Sequence, residues 1–316
     1  MIRWETVAWQ EALDLRGAVF ALGTFDGVHR GHQAILARAR EMAQRKGRPA
    51  AVLTFDRHPQ ATLRGKAPPE ITPLPEKLAI LRAQGMAAAI LLQFDAELAS
   101  LPAPDFEREV LHELFCASGV VAGYNFTYGR RGEGRASSLV KAGGKYGFDV
   151  EVVAPVEVNG VVVSSTLIRQ ELAQGRVELA ATLLGRYYAL RGPVVPGDGR
   201  GRSLGFPTAN LALPEGKLLP EEGVYLGLAG LDRDLWPALV SLGPRLTFQA
   251  GPAVEVHLID FRGNLYGKEL TVHLVRRLRA LFRFPSAEAL RARMEEDLAE
   301  ARELFSRLHP NALMLE

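Results

Sequence analysis

The chain has almost no cysteine and almost no net charge. Among its 316 residues Cys116 is the single cysteine, which excludes an internal disulfide and favours a reducing compartment such as the cytoplasm. Lysine and arginine number 38 against 36 aspartates and glutamates, which leaves a formal net charge of +2. This balance is too small to indicate a general surface for nucleic acid or a membrane, so any anion must be bound by a local group of residues.

Long apolar runs are also missing. No stretch approaches the roughly 18 apolar residues that a membrane-spanning helix needs, and Arg3 and Glu5 interrupt the N-terminus before a signal-peptide core could form. Hydrophobic residues make up 47% of the chain and charged residues 23%, which is typical of a soluble globular protein. The length favours two domains.

The first half of the chain alternates short apolar runs with helical patterns. The runs "AVFALG" and "AAVLTF", for example, precede helical spacing at residues 32–46 and in "PEKLAILRAQG". Strands spaced by helices in this way predict right-handed crossovers and a parallel, doubly wound sheet. Ligands of such sheets bind beyond the carboxyl ends of the strands, and "GTFDGVHRGH", Gly23 to His32, lies at such an end.

The second half has a different pattern. From Tyr187 to about Leu274, short strands alternate with glycine and proline turns, which predicts an all-β domain. The closing segment "PSAEALRARMEEDLAEARELFSRL" predicts a helix that packs on this domain with one apolar face. The apolar residues at helical spacing are Leu290, Met294, Leu298, Ala301, Leu304 and Leu308.

His29 and His32 lie where a predicted strand turns into a predicted helix. The free amides and positive dipole end of a helix start favour a phosphate, and Gly23, Gly27 and Gly31 would let it approach the backbone. Two imidazoles there can donate to phosphate oxygens and stabilise charge that develops during a transfer. By themselves they could also be capping or core histidines, or metal ligands that lack a nearby third ligand. Neither G-x-x-x-x-G-K-[ST] nor G-x-G-x-x-G occurs in the chain.

The string "GTFDGVHRGH" resembles the HxGH signature of the nucleotidylyltransferase superfamily, in the form found in bacterial bifunctional riboflavin kinase/FMN adenylyltransferases. "LTFDRHP" (53–59), "VAGYNFTYGRRGEG" (121–134) and "VSSTLIR" (163–169) are similar to further motifs of that family, in the same order. The resemblance implies an α/β Rossmann-like nucleotidylyltransferase domain over residues 1–183 that adenylylates FMN to FAD. Such a transfer needs positioning and charge neutralisation rather than a covalent protein intermediate.

The resemblance also implies roles for individual residues. His29 and His32 would be catalytic. The residues implied to bind ATP are Gly23, Phe25, Asp26, Gly31, Ser165, Thr166 and Arg169. Those implied to line the flavin side are His58, Asn125, Phe126 and Tyr128. Without the resemblance, "SSTLIR" is equally well a helix N-cap, and "GYNFTYG" could be an ordinary aromatic strand end.

The string "GDGRGRSLGFPTANL" (197–211) joins a glycine-rich loop to small oxygen-bearing side chains. Composition alone favours a hairpin loop, although Mg²⁺ prefers oxygen ligands and glycine amides suit phosphates. The string closely resembles the riboflavin kinase signature, which implies a six-stranded β-barrel riboflavin kinase domain over residues 187–316, ending in the C-terminal helix. The residues implied to bind ATP are Gly199, Gly201, Arg202, Gly205 and Pro207, and those implied to hold Mg²⁺ are Thr208 and Asn210.

The next motif, "AVEVHLIDFRGNLYGKEL", places Glu255 where the family has the general base for the 5′-hydroxyl of riboflavin. Without the resemblance, Glu255 is better explained as an outward-facing strand carboxylate. Arg279 is implied to contact flavin. The expected small-molecule partners are therefore ATP, riboflavin, FMN and FAD, with Mg²⁺ as cofactor; the sequence does not indicate an oligomeric state.

Some positions depart from the family pattern. Arg57 replaces a usual proline, which puts the placement of His58 in doubt, and Val162 replaces an arginine that could contact triphosphate. Leu246 replaces a common proline, and "LRALFRF" lacks the usual acidic residue. An enzyme with one degenerate site, or an HxGH enzyme with another phosphorylated acceptor, stays an alternative. A flavin-binding regulator or RNA-binding module without turnover is another, although the balanced charge disfavours RNA.

Overall fold

The computed structural model describes residues 2–10, 13–197, 205–232, 234–244 and 252–307. The chain divides into two compact units, Met1–Ser165 and Thr166–Glu316. The domain boundaries at 1–183 and 187–316 stay a prediction. Within the described ranges, no helix is long and apolar enough to cross a membrane.

The first unit is built on a six-stranded sheet with the spatial order β1-β4-β3-β2-β5-β8. Its strands are β1 (Trp4–Ala8), β2 (Val19–Leu22), β3 (Ala50–Phe55), β4 (Ala88–Leu92), β5 (Gly119–Gly123) and β8 (Asp149–Val153). Two short ladders join β6 (Thr127–Tyr128) to β7 (Gly134–Arg135) and β9 (Glu157–Val158) to β10 (Val161–Val162). The helices are α1 (Arg30–Lys46), α2 (Pro59–Arg64), α3 (Leu74–Ala83), α4 (Ala96–Ser100), α5 (Ala103–Asp105) and α6 (Ala136–Tyr146), with a π-helix at Phe106–Leu114 and a 3₁₀ turn at Arg130–Gly132.

The central strands are apolar throughout because helices cover both faces of the sheet. Every residue of β2 and β4 is buried. Successive residues of a strand point to opposite faces, so Phe20 joins the core cluster on one face and Ala21 that on the other. The pairs β2–β3, β2–β5, β3–β4 and β5–β8 are parallel, which confirms the predicted Rossmann-like arrangement.

Strand β1 was not predicted from the sequence. It pairs antiparallel with β4 at one edge of the sheet, with Trp4 opposite Leu92. Four of its five residues are exposed, so it lacks the apolar run that marks the central strands. An antiparallel edge strand is common on otherwise parallel sheets.

The second unit contains a closed barrel in the order β11-β12-β15-β14-β13-β16, with every neighbouring pair antiparallel. The strands are β11 (Tyr188–Val195), β12 (Ala209–Leu211), β13 (Gly223–Leu231), β14 (Asp234–Pro244), β15 (Pro252–Leu258) and β16 (Glu269–Arg279). Helices α7 (Ser165–Ala173) and α8 (Val177–Leu184) precede the barrel, and α9 (Ala287–Arg307) follows it. The predicted six-stranded barrel and C-terminal helix are thereby confirmed.

Helix α9 packs on the outer surface of the barrel. Ala301 is fully buried in a cluster with barrel residues such as Leu226 and Leu239. Leu298 and Leu304 are half-buried against the same cluster. The sequence-based apolar face of this helix therefore meets the barrel; Leu308 lies outside the described residues.

Candidate active sites

The loop between β2 and α1 lies at the carboxyl edge of the sheet and has an unusual backbone. Phe25, Gly27 and Val28 have φ angles of 52°, 86° and 37°. Positive φ is unfavourable for a bulky or β-branched residue, and such residues persist where the surroundings over-determine them. Phe25 and Val28 are both fully buried, so core packing holds this conformation.

Asp26 anchors the loop to the segment before α3. Its carboxylate accepts hydrogen bonds from the amides of Thr72 at 2.9 Å and Ile71 at 3.2 Å. The Thr72 hydroxyl accepts a hydrogen bond from the Gly27 amide at 2.9 Å. The Asp26 carboxylate is thus hydrogen-bonded to backbone amides of the protein itself. The contact with ATP that the resemblance implies for Asp26 stays a prediction.

His29 is the N-cap of α1, as one of the sequence-based alternatives allowed. Its Nδ1 accepts a hydrogen bond from the amide of His32 at 3.3 Å. A neutral imidazole whose Nδ1 accepts carries its proton on Nε2. The cap therefore leaves His29 with an Nε2–H donor at the start of the helix, so capping and phosphate binding are compatible roles for the same ring.

The two histidine rings are stacked. Their centroids lie 3.7 Å apart with an interplanar angle of 16°, and the His32 ring also contacts Phe25 at 5.2 Å. Gly31 leaves space for this arrangement, because a Cβ at Gly31 would lie 3.1 Å from Cε1 of His29. A side chain at this position would therefore require the histidine ring itself to shift by a few tenths of an ångström.

A small cleft of about 10 Å³ opens beside this loop, with Asp26 and His58 among its lining residues. His58 is the N-cap of α2, and its Nδ1 accepts from the amide of Gln60 at 3.2 Å. Arg57 lines the same cleft and forms an ion pair with Asp56 at 3.0 Å. The replacement of proline by arginine therefore leaves His58 beside the histidine loop.

Lys77 is a residue of this cleft that the sequence analysis did not single out. It is 9% exposed, and its Nζ donates to the carbonyl oxygen of Thr24 at 3.3 Å. Burial lowers the pKa of the Lys77 ammonium, an effect opposed by Asp26 and two other nearby carboxylates. One sequence signal could have found it: Lys77 lies four residues before Leu81 and shares its buried helix face.

The predicted residues of the "SSTLIR" motif begin α7. Ser165 is its first residue, and its hydroxyl donates to the carbonyl oxygen of Asp26 at 2.8 Å. Ser165 is thereby attached to the histidine loop. Thr166 is exposed and Arg169 is half-buried on the first turns of the helix, and their contact with ATP stays a prediction.

The residues predicted for the flavin side follow β5, which pairs with β2. Asn125 is exposed, and the half-buried Phe126 stacks on Tyr128 with centroids 5.7 Å apart. The hydroxyl of Tyr128 donates to the buried carboxylate of Glu107 and lies 3.1 Å from Oγ of Ser138. Burial and the bond to Glu107 raise the pKa of Tyr128. Tyr128 thus anchors this segment, whereas Asn125 is presented outward.

In the barrel unit, the strand register brings Asn210 and Glu255 together. Asn210 of β12 is directly opposite Glu255 of β15, and Ser241 of β14 is opposite Glu255 on its other side. Directly opposed residues of antiparallel strands share one face, with Cβ atoms about 4.5–5.5 Å apart. Their neighbours Ala209 and Val256 are buried inside the barrel. The three polar side chains therefore lie on the outer face, as the strand-carboxylate alternative for Glu255 expected, and the role of Glu255 as general base stays a prediction.

Close backbone contact holds the Asn210 side chain. A Cβ on Gly197 would lie 2.0 Å from Nδ2 of Asn210, so a side chain at position 197 would displace the Asn210 amide. Thr208 is half-buried, two residues before Asn210, and strand alternation puts it on the same face. Gly205 and Pro207 are exposed before it, whereas Gly199, Gly201, Arg202 and Leu246 lie outside the described residues.

Arg279 is engaged within the protein. Its Nη2 donates to Oδ2 of Asp297 at 2.7 Å, and its Nε lies 3.0 Å from both carboxylate oxygens. Asp297 is 1% exposed. The guanidinium also lies over the ring of Phe282 at 4.8 Å. This pair ties the end of β16 to α9, and the contact of Arg279 with flavin stays a prediction.

The two candidate sites differ in the atoms that they could offer to a metal ion. The outer barrel face offers side-chain oxygens, whereas the histidine loop offers imidazole nitrogens. Among the residues that the structure describes, no group of three or more His, Cys, Asp or Glu side chains is placed to hold a metal ion. The side-chain oxygens of Thr208 and Asn210 are of the hard kind that Mg²⁺ prefers, and Asn210 lies directly opposite Glu255. The donor set of the barrel face therefore fits Mg²⁺ bound together with phosphate oxygens.

Comparisons with known proteins agree with this division. A family model described as "FAD synthetase" matches residues 11–167, and one described as "Riboflavin kinase" matches residues 184–305. The protein named "Bifunctional riboflavin kinase/FMN adenylyltransferase" from Pseudomonas fluorescens is 39% identical over 291 residues, which covers 92% of this chain and 93% of the relative. Its namesake from Escherichia coli (strain K12) is 37% identical over 298 residues, with 93% and 95% covered. A crystal structure described as a macrolide-efflux protein from Streptococcus pneumoniae superposes with a TM-score of 0.84 at 33% identity, covering 91% of this chain and 94% of that one.

Proposed function

Because the chain belongs to the bifunctional riboflavin kinase/FMN adenylyltransferase family, we propose that it makes FAD from riboflavin in two steps. The barrel unit phosphorylates riboflavin to FMN with Mg-ATP, and the sheet unit adenylylates FMN to FAD with release of pyrophosphate. The observation that carries this proposal is that each unit sets its own motif residues side by side: the stacked His29 and His32 in one, and the paired Asn210 and Glu255 in the other. The substrates are ATP, riboflavin and FMN; a cytoplasmic location without nucleic-acid or membrane partners stays a prediction.

In the sheet unit, a phosphate oxygen of FMN attacks the α-phosphorus of ATP, and the bond to the β-phosphate breaks. The protein contributes position and positive hydrogen-bond donors, because no covalent intermediate is needed. The Nε2–H of His29 supplies a donor whose protonation is set by the N-cap. The amides at the start of α1 add the positive end of a helix dipole. These groups stabilise the charge that develops on the transferring phosphate.

In the barrel unit, Glu255 accepts the proton of the riboflavin 5′-hydroxyl as that oxygen attacks the γ-phosphorus of ATP, and the bond from the γ-phosphorus to the β-phosphate oxygen breaks to release ADP. A carboxylate on an outer barrel face, opposite Asn210, is accessible to both flavin and nucleotide. Thr208 and Asn210 would hold the Mg²⁺ that accompanies ATP, and the ion would neutralise phosphate charge. Ser241, on the other side of Glu255, adds a hydroxyl to the same row of side chains.

The first test is a time course with purified protein, riboflavin and Mg-ATP, resolved by chromatography into riboflavin, FMN and FAD. FMN should rise and then give way to FAD. FMN alone would contradict the activity proposed for the histidine loop, and Arg57 and Val162 would be the first positions to restore to the family residues. Flavin binding without ATP consumption would contradict both activities.

Substitution of Gly31 by alanine is expected to raise the stability of the protein and to lower its rate of FAD formation. An alanine inside a helix is more stable than glycine by about 0.5–1 kcal/mol, but its Cβ would push the His29 ring, which lies 3.1 Å away. The ring would have to shift by a few tenths of an ångström, so FAD formation from FMN should fall severalfold, since a displacement near 1 Å can cost about a hundredfold. Thermal unfolding and steady-state rates would measure the two effects.

Gly144→Ala is the matched control for this prediction. Gly144 is also helical, in α6, and a Cβ there would meet no atom within 4 Å. This variant should gain stability and keep full activity. Unchanged FAD formation in Gly31→Ala would show that the spacing between Gly31 and the His29 ring is irrelevant to catalysis.

Substitution of Asn210 by alanine is expected to weaken the binding of Mg²⁺ in the kinase reaction. Loss of one oxygen ligand should raise the Mg²⁺ concentration for half-maximal FMN formation by about tenfold, equivalent to about 1.4 kcal/mol. FAD formation from added FMN should keep its wild-type rate. Asn264→Ala, in an exposed turn where the side chain accepts from the Tyr266 amide at 3.0 Å, is the control. Equal Mg²⁺ titrations for the two variants would contradict the role of Asn210.

A further inference from the structure

His257 shares the outer barrel face with the proposed kinase residues. It follows Glu255 by two residues on β15, so strand alternation points both side chains the same way. The register pairs Asn210 with Glu255 and Ala209 with Val256. Continued by one residue, that register brings Thr208 next to His257.

The ring of His257 contacts the chain just before Thr208. Its Nδ1 lies 2.9 Å from the carbonyl oxygen of Pro207. A carbonyl oxygen can only accept, so Nδ1 carries the proton and donates. The ring also meets the buried Phe206 edge-on, with centroids 5.5 Å apart and an interplanar angle of 67°. Two contacts from one side chain therefore hold residues 206 and 207.

This part of the chain has little other support from the sheet. Strand β12 is three residues long, Ala209–Leu211, and pairs with β11 and with β15 through two residue pairs each, none of which includes residues 206–208. The sequence before it, "GDGRGRSLG", contains four glycines, which have the greatest backbone freedom to lose. A short strand after such a segment needs a side-chain anchor to fix where it begins.

We propose that His257 is a positioning residue of the kinase site. By holding the Pro207 carbonyl and Phe206, it sets the start of β12 and so the positions of the Thr208 and Asn210 oxygens relative to Glu255. It acts through these residues and needs no contact with flavin or nucleotide. This inference rests on the proposed kinase function, and it gives a role to a second residue of the motif that contains Glu255.

The test compares three variants of the full-length protein. In His257→Asn, the side-chain N–H falls near the position of Nδ1 and can still donate to Pro207; in His257→Gln, the N–H falls near the position of Nε2. His257→Leu keeps apolar volume and has no donor. Leucine should lower the kinase kcat by about tenfold and raise the Mg²⁺ concentration for half-maximal activity severalfold, the expected scale for a lost hydrogen bond. The KM for riboflavin should stay near the wild-type value, and asparagine should restore kcat to within about threefold.

The same preparations give the controls. FAD formation from added FMN should be equal in all variants, which shows that equal amounts of protein are compared. If the leucine variant does not fold, the comparison of asparagine with glutamine decides, because only asparagine keeps the donor in place. Wild-type kinetics in the leucine variant, or equal impairment by asparagine and glutamine, would overturn the role of His257. A wild-type protein that forms no FMN would instead overturn the kinase function itself.

Discussion

Replacing His29 with asparagine should lower the rate of FAD formation from FMN by about 10²–10³-fold, the range found when a single donor to a developing negative charge is removed. Asparagine is among the best N-cap residues, so α1 keeps the cap that the Nδ1 of His29 now provides. The change therefore removes the Nε2–H donor without removing the start of the helix. Steady-state rates with FMN and Mg-ATP, followed by pyrophosphate release, measure the loss.

Two measurements distinguish this result from unfolding. The kinase rate of the same preparation should stay within about twofold of wild type, because the barrel unit has its own core. His29→Ala, which removes both cap and donor, should lose stability by about 1 kcal/mol relative to His29→Asn. If the asparagine variant made FAD at the wild-type rate, His29 would be a cap alone.

Replacing Glu255 with glutamine should impair the kinase reaction and leave the adenylylation reaction intact, the reverse of the effect expected for His29→Asn. Glutamine has the same shape and still accepts hydrogen bonds, but it cannot take up the proton of the riboflavin hydroxyl. Removal of a general base costs about 10²–10⁴-fold, so FMN formation should nearly stop. FAD formation from added FMN should continue, and a chromatographic assay started from either flavin separates the two reactions.

Glu269→Gln is the matched carboxylate control. Glu269 also lies on a barrel strand, β16, but it is exposed and pairs with Arg191 at 3.3 Å. An exposed ion pair contributes about 0.2–1 kcal/mol, so this variant should keep both activities. Equal kinase rates for Glu255→Gln and Glu269→Gln would contradict the assignment of Glu255 as the base.

The central strands and the histidine helix could be predicted because their signals are local. An apolar run buried on both faces marks β2, and the helical spacing after His32 marks α1. Strand β1 escaped prediction because most of its residues are exposed and its place depends on pairing with β4. The π-helix at Phe106–Leu114 was not predicted from the sequence either.

Some residues had functions in the fold that their motifs did not reveal. Tyr128 and Arg279 were placed by resemblance against flavin, yet each is engaged with a buried carboxylate, Glu107 and Asp297 respectively. Lys77 was passed over because a lysine within a helical pattern is normally solvated. Its burial follows from the position of α3 beside the histidine loop, which spacing within the helix could only hint at.

By itself, the sequence determined the order of the elements, the set of motifs in each half of the chain and the residue types that each reaction needs. It could do so because strands, helices and phosphate-binding turns depend on neighbours within a few positions. Only the tertiary structure decided which nitrogen of His29 holds the proton, how closely Gly31 approaches the His29 ring, and that Asn210 faces Glu255. Those properties depend on distances between groups, and contacts such as Asp26 with Thr72 or Pro207 with His257 join positions about fifty residues apart in the chain.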